Sequence, residues 1–341
     1  MPMMRRWLLW MLLLPLFCAG FGVGARAQAP LTGNCVSTPP VLGATRIDNI
    51  AFNYSVGGFD VLSGNPVSGE GSISVNCNGV PPGQVVRLCV GFLSQSPRKM
   101  TNVNNPGSKL NYDFFVDSSH QKLFDNLAHA DFTQSSKTAT FTFYGLIYGN
   151  QQAASVGDYN DIQSLIIYYK LYGSSKDLPV DCDTAGSRRE TLGISLNATI
   201  KPYCGISNIQ DMIFPSQTIF TGDVTEQTPA QFTVKCTTDA PYAIGLDDGL
   251  NARNGRCPSS SQRCMVSRQN PLNRIDYDLY HTTQRSSRWG ATDPLAAGVG
   301  GKPRIGKYSG ETITVYGKIP KPTLSPAPGD YSDTITITVN Y

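Results

Sequence analysis

The sequence predicts an all-β chain folded as two tandem β-sandwich domains, and three observations predict it. Apolar and polar residues alternate in short runs, as in Thr334–Tyr341 (TITITVNY), where Ile335, Ile337, Val339 and Tyr341 share one face. A set of landmarks occurs twice in the same order. Val75-Asn76-Cys77 is echoed by Val234-Lys235-Cys236, and Asn111-Tyr112-Asp113-Phe114-Phe115 by Asp276-Tyr277-Asp278-Leu279-Tyr280. Phe143-Tyr144-Gly145-Leu146-Ile147 is echoed by Val315-Tyr316-Gly317-Lys318-Ile319, and Gly157-Asp158-Tyr159-Asn160-Asp161 by Gly329-Asp330-Tyr331-Ser332-Asp333. The offset drifts from 159 through 165 to 172, so insertions differ while order holds. Finally, the cysteines after Cys18 divide four and four between the halves.

Taken in order, Arg5 and Arg6 precede an apolar run from Trp7 to about Phe21, and Ala25-Arg26-Ala27 supplies a small-x-small cleavage site. Residues 1–27 are therefore expected to be a secretory signal peptide. Its removal takes away three arginines and no acid, which leaves 25 basic against 25 acidic residues. A neutral mature chain has no general electrostatic attraction for nucleic acid. Later segments are too short to span a membrane as a helix.

Ser72–Asn76, Val85–Val90, Ala139–Tyr144, Gln231–Lys235 and Glu311–Tyr316 read as strands, separated by turn clusters such as Pro81-Pro82-Gly83 and Asp247-Asp248-Gly249. Gly186-Ser187-Arg188-Arg189-Glu190 reads as a polar linker. It is followed by Thr191–Ile200, in which Leu192, Ile194, Leu196, Ala198 and Ile200 alternate with other residues. That strand is free to complete the first domain or begin the second, and the former is favoured. In an exported chain the cysteines read as disulfides. Cys257 and Cys264 flank a short loop and pair, leaving Cys204 with Cys236; the repeat then gives Cys35–Cys77, and Cys89–Cys182 by remainder. No cysteine quartet has zinc spacing.

The second half resembles the spore coat protein U domain, the pilin-type module of archaic (Csu-type) chaperone–usher pili. The residues that carry the resemblance are Cys204, Phe232-Thr233-Val234-Lys235-Cys236-Thr237, Tyr242 with Leu246-Asp247-Asp248-Gly249, and Ile275-Asp276-Tyr277-Asp278-Leu279-Tyr280. Trp289-Gly290, Val315-Tyr316-Gly317-Lys318-Ile319 and Gly329-Asp330-Tyr331-Ser332-Asp333-Thr334 continue it in order. The first half resembles the family only at the repeated landmarks.

The resemblance implies immunoglobulin-like (Ig-like) sandwiches, the C-terminal one an incomplete pilin-type sandwich lacking its last strand. Such a domain takes a strand first from a periplasmic chaperone and then from the N-terminal extension of an adjacent pilin subunit, with an outer-membrane usher as a further partner. Main-chain bonds along the open edge and apolar side chains in the groove would hold it. Ile335, Ile337, Val339 and Tyr341 are the candidate edge, since no turn or return strand follows them. Gln28–Asn34 is too short and poorly patterned to act as a donor. The expectation is a tip adhesin exported through the periplasm to the cell surface, mediating attachment and biofilm formation. Its divisions are a receptor-binding domain over 28–186, a linker and shared strand over 187–203, and a pilin domain over 204–341. The alternative is a structural pilin or spore-coat-like surface subunit with no dedicated receptor site.

Candidate attachment residues are Phe59, Val61 and Leu62 in a Gly-rich segment and Leu146, Ile147 and Tyr148 between Gly145 and Gly149, with Phe124–Ala128 a weaker third. Their partner, an abiotic surface, a sugar or a protein, is not specified by the sequence. Catalytic chemistry and cofactors are not expected: His120, His129 and His281 lack metal-ligand spacing, and Asp276 with Asp278 fits a strand better than an acid–base pair. Arg253, Arg256, Arg263, Arg268, Arg274, Arg285 and Arg288 crowd one insertion, read as a solvated loop ahead of an anion-binding face.

Overall fold

The computed structural model describes residues 64–259, 262–291 and 304–341, and the backbone alone of 43–47 and 50–51. The expected signal peptide, Cys35, and the candidates Phe59, Val61 and Leu62 lie outside the described residues.

Among the described residues, ten strands form the first domain: β1 (Gly43–Ile47), β2 (Ile50–Ala51), β3 (Val67–Asn76), β4 (Val85–Phe92), β5 (Arg98–Asn102), β6 (Lys109–Phe115), β7 (Ala128–Phe132), β8 (Thr138–Ile147), β9 (Gly157–Tyr172) and β10 (Arg188–Ile200). Their ladder runs β1-β3-β8-β6-β5-β9-β10-β2, with β4 beside β9 and β7 beside β4. The alternation seen in the sequence turns one set of side chains inward, so that Ile73, Leu88, Phe114, Phe143 and Leu165 share one core with Ile194 and Leu196. Phe92 and Phe114 stack at 4.0 Å within it.

The polar break at 186–190 is not a linker, which corrects that expectation. Arg188–Glu190 already belong to β10, which pairs antiparallel with β9 without interruption from Arg188↔Tyr169 to Ile200↔Gly157. Its polar start lies toward the end of the sheet away from the second domain, where the Tyr169 hydroxyl donates to Glu190 at 3.3 Å. Ile194, Leu196, Ala198 and Ile200 are buried in the first-domain core. The alternating strand thus completes the first domain, and only residues 201–203 separate it from the next.

The second domain comprises β11 (Cys204–Gln210), β12 (Val224–Thr225), β13 (Ala230–Cys236), β14 (Pro241–Leu246), β15 (Cys264–Ser267), β16 (Arg274–Asp276), β17 (Asp278–Tyr280), β18 (Arg304–Ile305), β19 (Glu311–Ile319), β20 (Tyr331–Ser332) and β21 (Ile337–Asn340). Phe232, Leu246, Leu279, Trp289 and Val315 form its core, and the Trp289 indole donates to the Ile244 carbonyl at 2.9 Å. A single helical turn, Leu250–Arg253, interrupts the strands.

The two halves repeat in register as well as in order. Val75↔Ala139 in the first corresponds to Val234↔Glu311 in the second. Asp113↔Leu146 likewise corresponds to Asp278↔Lys318. Disulfides join Cys89–Cys182, Cys204–Cys236 and Cys257–Cys264, and Cys77 is also disulfide-bonded. Where the domains meet, the Val156 amide donates to the Thr238 carbonyl at 2.8 Å and the Ser155 hydroxyl to Asp239 at 2.6 Å.

Candidate strand-acceptor groove

Each domain holds its closing strand by the same buried polar constellation. In the first, the Arg98 guanidinium meets Asp113 at 3.0 Å and the Tyr112 hydroxyl donates to Asp161 at 2.7 Å. In the second, Arg263 meets Asp278 at 3.2 Å and the Tyr277 hydroxyl donates to Asp333 at 2.9 Å. Burial, reinforced by the facing carboxylate, holds both tyrosine hydroxyls well above the ordinary tyrosine range. Arg263 also donates to the carbonyls of Leu246, Asp247 and Trp289; burial in the first place, then nearby Arg288, lowers its pKa. The repeated NYD-type and GDY-type landmarks are therefore not independent markers. They bind each other in both copies.

Around these shared fixtures the two domains differ. In the first, β9 is bonded on one flank to β4 and on the other to β10. In the second, β21 is bonded to β14 from Leu246↔Ile337 to Ala243↔Asn340, and no described strand pairs with its other edge. There a groove of about 550 Å³ opens between residues 331–337 and residues 209–214. Its floor is apolar: Phe232, Leu246, Met265, Leu279 and Val315 reach into it, with the Tyr277 ring beside them. Met212 and Phe214 form the facing wall. The groove is apolar at the base and lined along one rim by a strand edge that no described strand pairs, which is the chemistry of β-strand addition.

Of the edge candidates, Ile335 and Ile337 line the groove and Val339 packs against the core. Tyr341 is exposed, its ring 5.9 Å from that of Tyr203. Sequence reasoning missed Tyr331 and Asp333 on the same rim and all of the facing wall. The signal for Asp333 was the second aspartate of the repeated GDYxD motif.

The attachment candidates fare differently. Ile147 is 1 % exposed, because Gly145–Ile147 lie in β8 between β3 and β6 instead of in a loop. The glycines permit close approach: a Cβ at Gly149 would collide with the Gly64 carbonyl. Leu146 is half-buried and Tyr148 is 37 % exposed, its hydroxyl donating to Asp113 at 2.9 Å. Phe124 is buried. These positions lie at the end of the first domain that adjoins the second, since Ile147 pairs with Val67 and Tyr112 at the same end as Gly157 and Ile200. The opposite end carries loops 77–84, 133–137 and 173–187.

The arginines of the insertion are largely structural. Arg285 binds Glu226 at 2.6 Å, Arg288 bridges Asp248 and Asp278, Arg253 lies 3.4 Å from Asp247, and Arg256, Arg268 and Arg274 are exposed. His281 stacks on Trp289, and among the described residues no cluster of metal-ligating side chains occurs.

The Spore Coat Protein U domain profile matches residues 27–164 and 190–338. Among solved structures, the chain is similar to the CsuC–CsuE chaperone–tip adhesion subunit pre-assembly complex of archaic chaperone–usher Csu pili from Acinetobacter baumannii. Identity is 19%, over 78% of this chain and 89% of that one, with a TM-score of 0.43. It is similar to the CupB6 tip adhesin of Pseudomonas aeruginosa at 10% identity, over 86% and 94% of the two chains, with a TM-score of 0.35. It is also similar to the CssB subunit of enterotoxigenic Escherichia coli colonization factor CS6 complemented with a donor strand from CssA. There identity is 18%, over 46% and 96%, with a TM-score of 0.25. No curated protein matches the chain.

Proposed function

The chain belongs to the Spore Coat Protein U domain family, and we propose that it is a non-enzymatic pilus subunit whose second domain is completed by a strand from a partner. The observation that carries this reading is the apolar groove beside the unpaired edge of β21, set against a first domain in which the same position is filled by β10. Each large apolar side chain that a partner buries there contributes about 1.5–3 kcal/mol. Main-chain bonds add direction. The partners implied are a periplasmic chaperone during export, an outer-membrane usher, and a neighbouring subunit at the cell surface.

The state of β10 supports a place at the pilus tip. The second family match begins at residue 190, so by sequence this strand heads the second unit, where a donor segment belongs. Its hydrogen bonds and side chains are nonetheless committed to the first domain. A strand so engaged is unavailable to a neighbour. The acceptor groove then faces the pilus and the first domain faces outward, presenting loops 77–84, 133–137 and 173–187. The last of these is pinned by Cys89–Cys182 and by Arg87, which donates to the Pro179 carbonyl, and it leaves Val180 92 % exposed. Attachment, and biofilm formation with it, is assigned to this end.

Two measurements test the proposal. The full chain should gain soluble yield and thermal stability when a pilin donor strand is fused after Tyr341; equal behaviour with and without it overturns the acceptor reading. Val180→Ser should lower cell attachment while pili still assemble. Unchanged attachment favours a structural subunit instead.

A further inference from the structure

We propose that Met212 and Met265 form an oxidation site through which peroxide governs the groove. As thioethers they admit the incoming strand, as sulfoxides they bar it, and a strand in place shields them. The inference rests on the strand-acceptor reading above and adds to it a covalent modification and a means of regulation.

After position 27 the sequence holds three methionines, Met100, Met212 and Met265. Met265 lies in the floor of the open groove and Met212 in its facing wall, and both are half-buried. Met100 is fully buried in the first-domain core. Local sequence does not explain this division, because Met100 and Met265 hold equivalent positions. Each follows by two residues the arginine of the buried ion pair, Arg98 or Arg263. Each also pairs with a residue two places before the tyrosine that donates to the closing segment. Met100↔Leu110 precedes Tyr112, and Met265↔Ile275 precedes Tyr277. The same methionine is therefore sealed where β10 fills the first domain, and open to the groove where no described strand does so.

Met212 is seated on β19. A Cβ at Gly317 would collide with its sulfur, so the thioether rests directly on the strand's backbone. Flexible, polarizable side chains suit a wall that must close around another chain's residues.

Oxidation removes that fitness. A sulfur lone pair attacks one peroxide oxygen; the O–O bond breaks, an S–O bond forms and, with hydrogen peroxide, water leaves. The sulfur loses two electrons and the peroxide gains them. The new oxygen then requires a hydrogen-bond donor. Phe232, Leu246, Leu279 and Val315 carry none, and the Tyr277 hydroxyl is committed to Asp333. In the open groove water supplies the donor. Beneath a strand that water is expelled, and the sulfoxide oxygen is buried unpaired. Among the described residues every cysteine is disulfide-bonded, so no thiol there competes for the oxidant.

The test exposes the full chain to dilute hydrogen peroxide, both free and with a pilin donor strand fused after Tyr341. Each methionine is followed by peptide mass spectrometry. In the free chain Met212 and Met265 should each gain one oxygen about ten-fold faster than Met100, and the fused strand should slow both to the pace of Met100. The oxidised chain should bind the same donor strand, added as a free peptide, about ten-fold more weakly, and methionine sulfoxide reductase should restore binding. The double variant Met212→Leu, Met265→Leu should bind the peptide equally well before and after peroxide. Equal oxidation of both sulfurs with and without the fused strand, or unchanged binding by the oxidised chain, overturns the inference and leaves the acceptor reading standing. Loss of binding in the peroxide-treated double variant does the same. A donor strand that neither stabilises nor binds the untreated chain overturns the acceptor reading, and this inference with it.

Discussion

The closing strands of the two domains begin with the same motif, Gly-Asp-Tyr-x-Asp, and end in different surroundings. β9 has hydrogen-bonded neighbours on both flanks and runs unbroken for 16 residues. The corresponding stretch of the second domain has a neighbour on one flank and breaks into β20, of two residues, and β21, of four. Its inward residues Tyr331, Ile335, Ile337 and Val339 are half-buried, whereas Tyr159, Leu165, Ile167 and Tyr169 are buried. Strand length and burial here are set by what lies alongside, since an extended segment satisfies its amides and its apolar face only through neighbours. The same local sequence is buried core in one copy and the rim of an open groove in the other.

The largest effect should come from breaking the filled side of this comparison. Leu196→Ala should destabilise the first domain by about 2–5 kcal/mol, and Leu196→Asp should unfold it, because a lone carboxylate would be buried. Ile337→Ala should cost the isolated second domain much less, since that side chain is half-buried. The gap should narrow once a donor strand covers Ile337. Hydrogen exchange read separately over β9 and over β21 checks both halves. Comparable losses in the isolated chain would mean that the second groove is already closed.

Next are the buried arginines. Arg98→Met leaves Asp113 without its cation, at about 3–5 kcal/mol when such a pair is broken from one side, and Arg263→Met leaves Asp278 to Arg288 alone. Arg263 should be the more damaging, since three carbonyls also lose a donor. Thermal unfolding of the two variants ranks them. A smaller loss at Arg263 would show that the second domain reorganises around the gap.

Tyr112→Phe and Tyr277→Phe should each cost about 1.5–3 kcal/mol, the range for a hydrogen bond to a charged group. Both bonds exist whether or not the groove is filled, so the two losses should be similar. A negligible loss for Tyr277→Phe in the absence of a donor would mean that the constellation forms only on strand binding.

Most of this architecture was legible in the sequence, and the misreadings have physical causes. Alternation located the strands, and the collinear landmarks revealed the repeat. Collinearity says nothing about contact, so the Tyr–Asp bonds between the two landmarks could not be read, although both partners stood in the repeated motifs. Gly186–Glu190 looked like a linker because the first residues of β10 are polar and mostly exposed. Gly145–Gly149 looked like an exposed loop because glycine marks both turns and tight packing; here Gly145 lies opposite Gly69 and Phe114 inside a sheet. The groove's facing wall, 209–214, lacks a strand's alternation in the sequence, so no pattern marked it.

The smallest predicted effect separates the two copies of the constellation by pH. Asp113 accepts from Arg98, Ser96 and Tyr148, whereas Asp278 has Arg288 in addition to Arg263. Burial first, then the bond to Asp113, pushes the Tyr148 hydroxyl up to about 12. A raised pKa in the folded state means that folding favours the protonated hydroxyl. Its contribution is complete below the ordinary tyrosine value of about 10 and disappears as pH rises through about 12. Because Tyr148 is partly exposed, the effect should be modest. Tyr148→Phe should lessen the alkaline loss of first-domain stability between those values, the raised Tyr112 and Tyr169 supplying the remainder, and leave the second domain's profile unchanged, as followed by hydrogen exchange. An identical alkaline profile in the variant would show that the hydroxyl is solvated and that Asp113 is held by Arg98 and Ser96 alone.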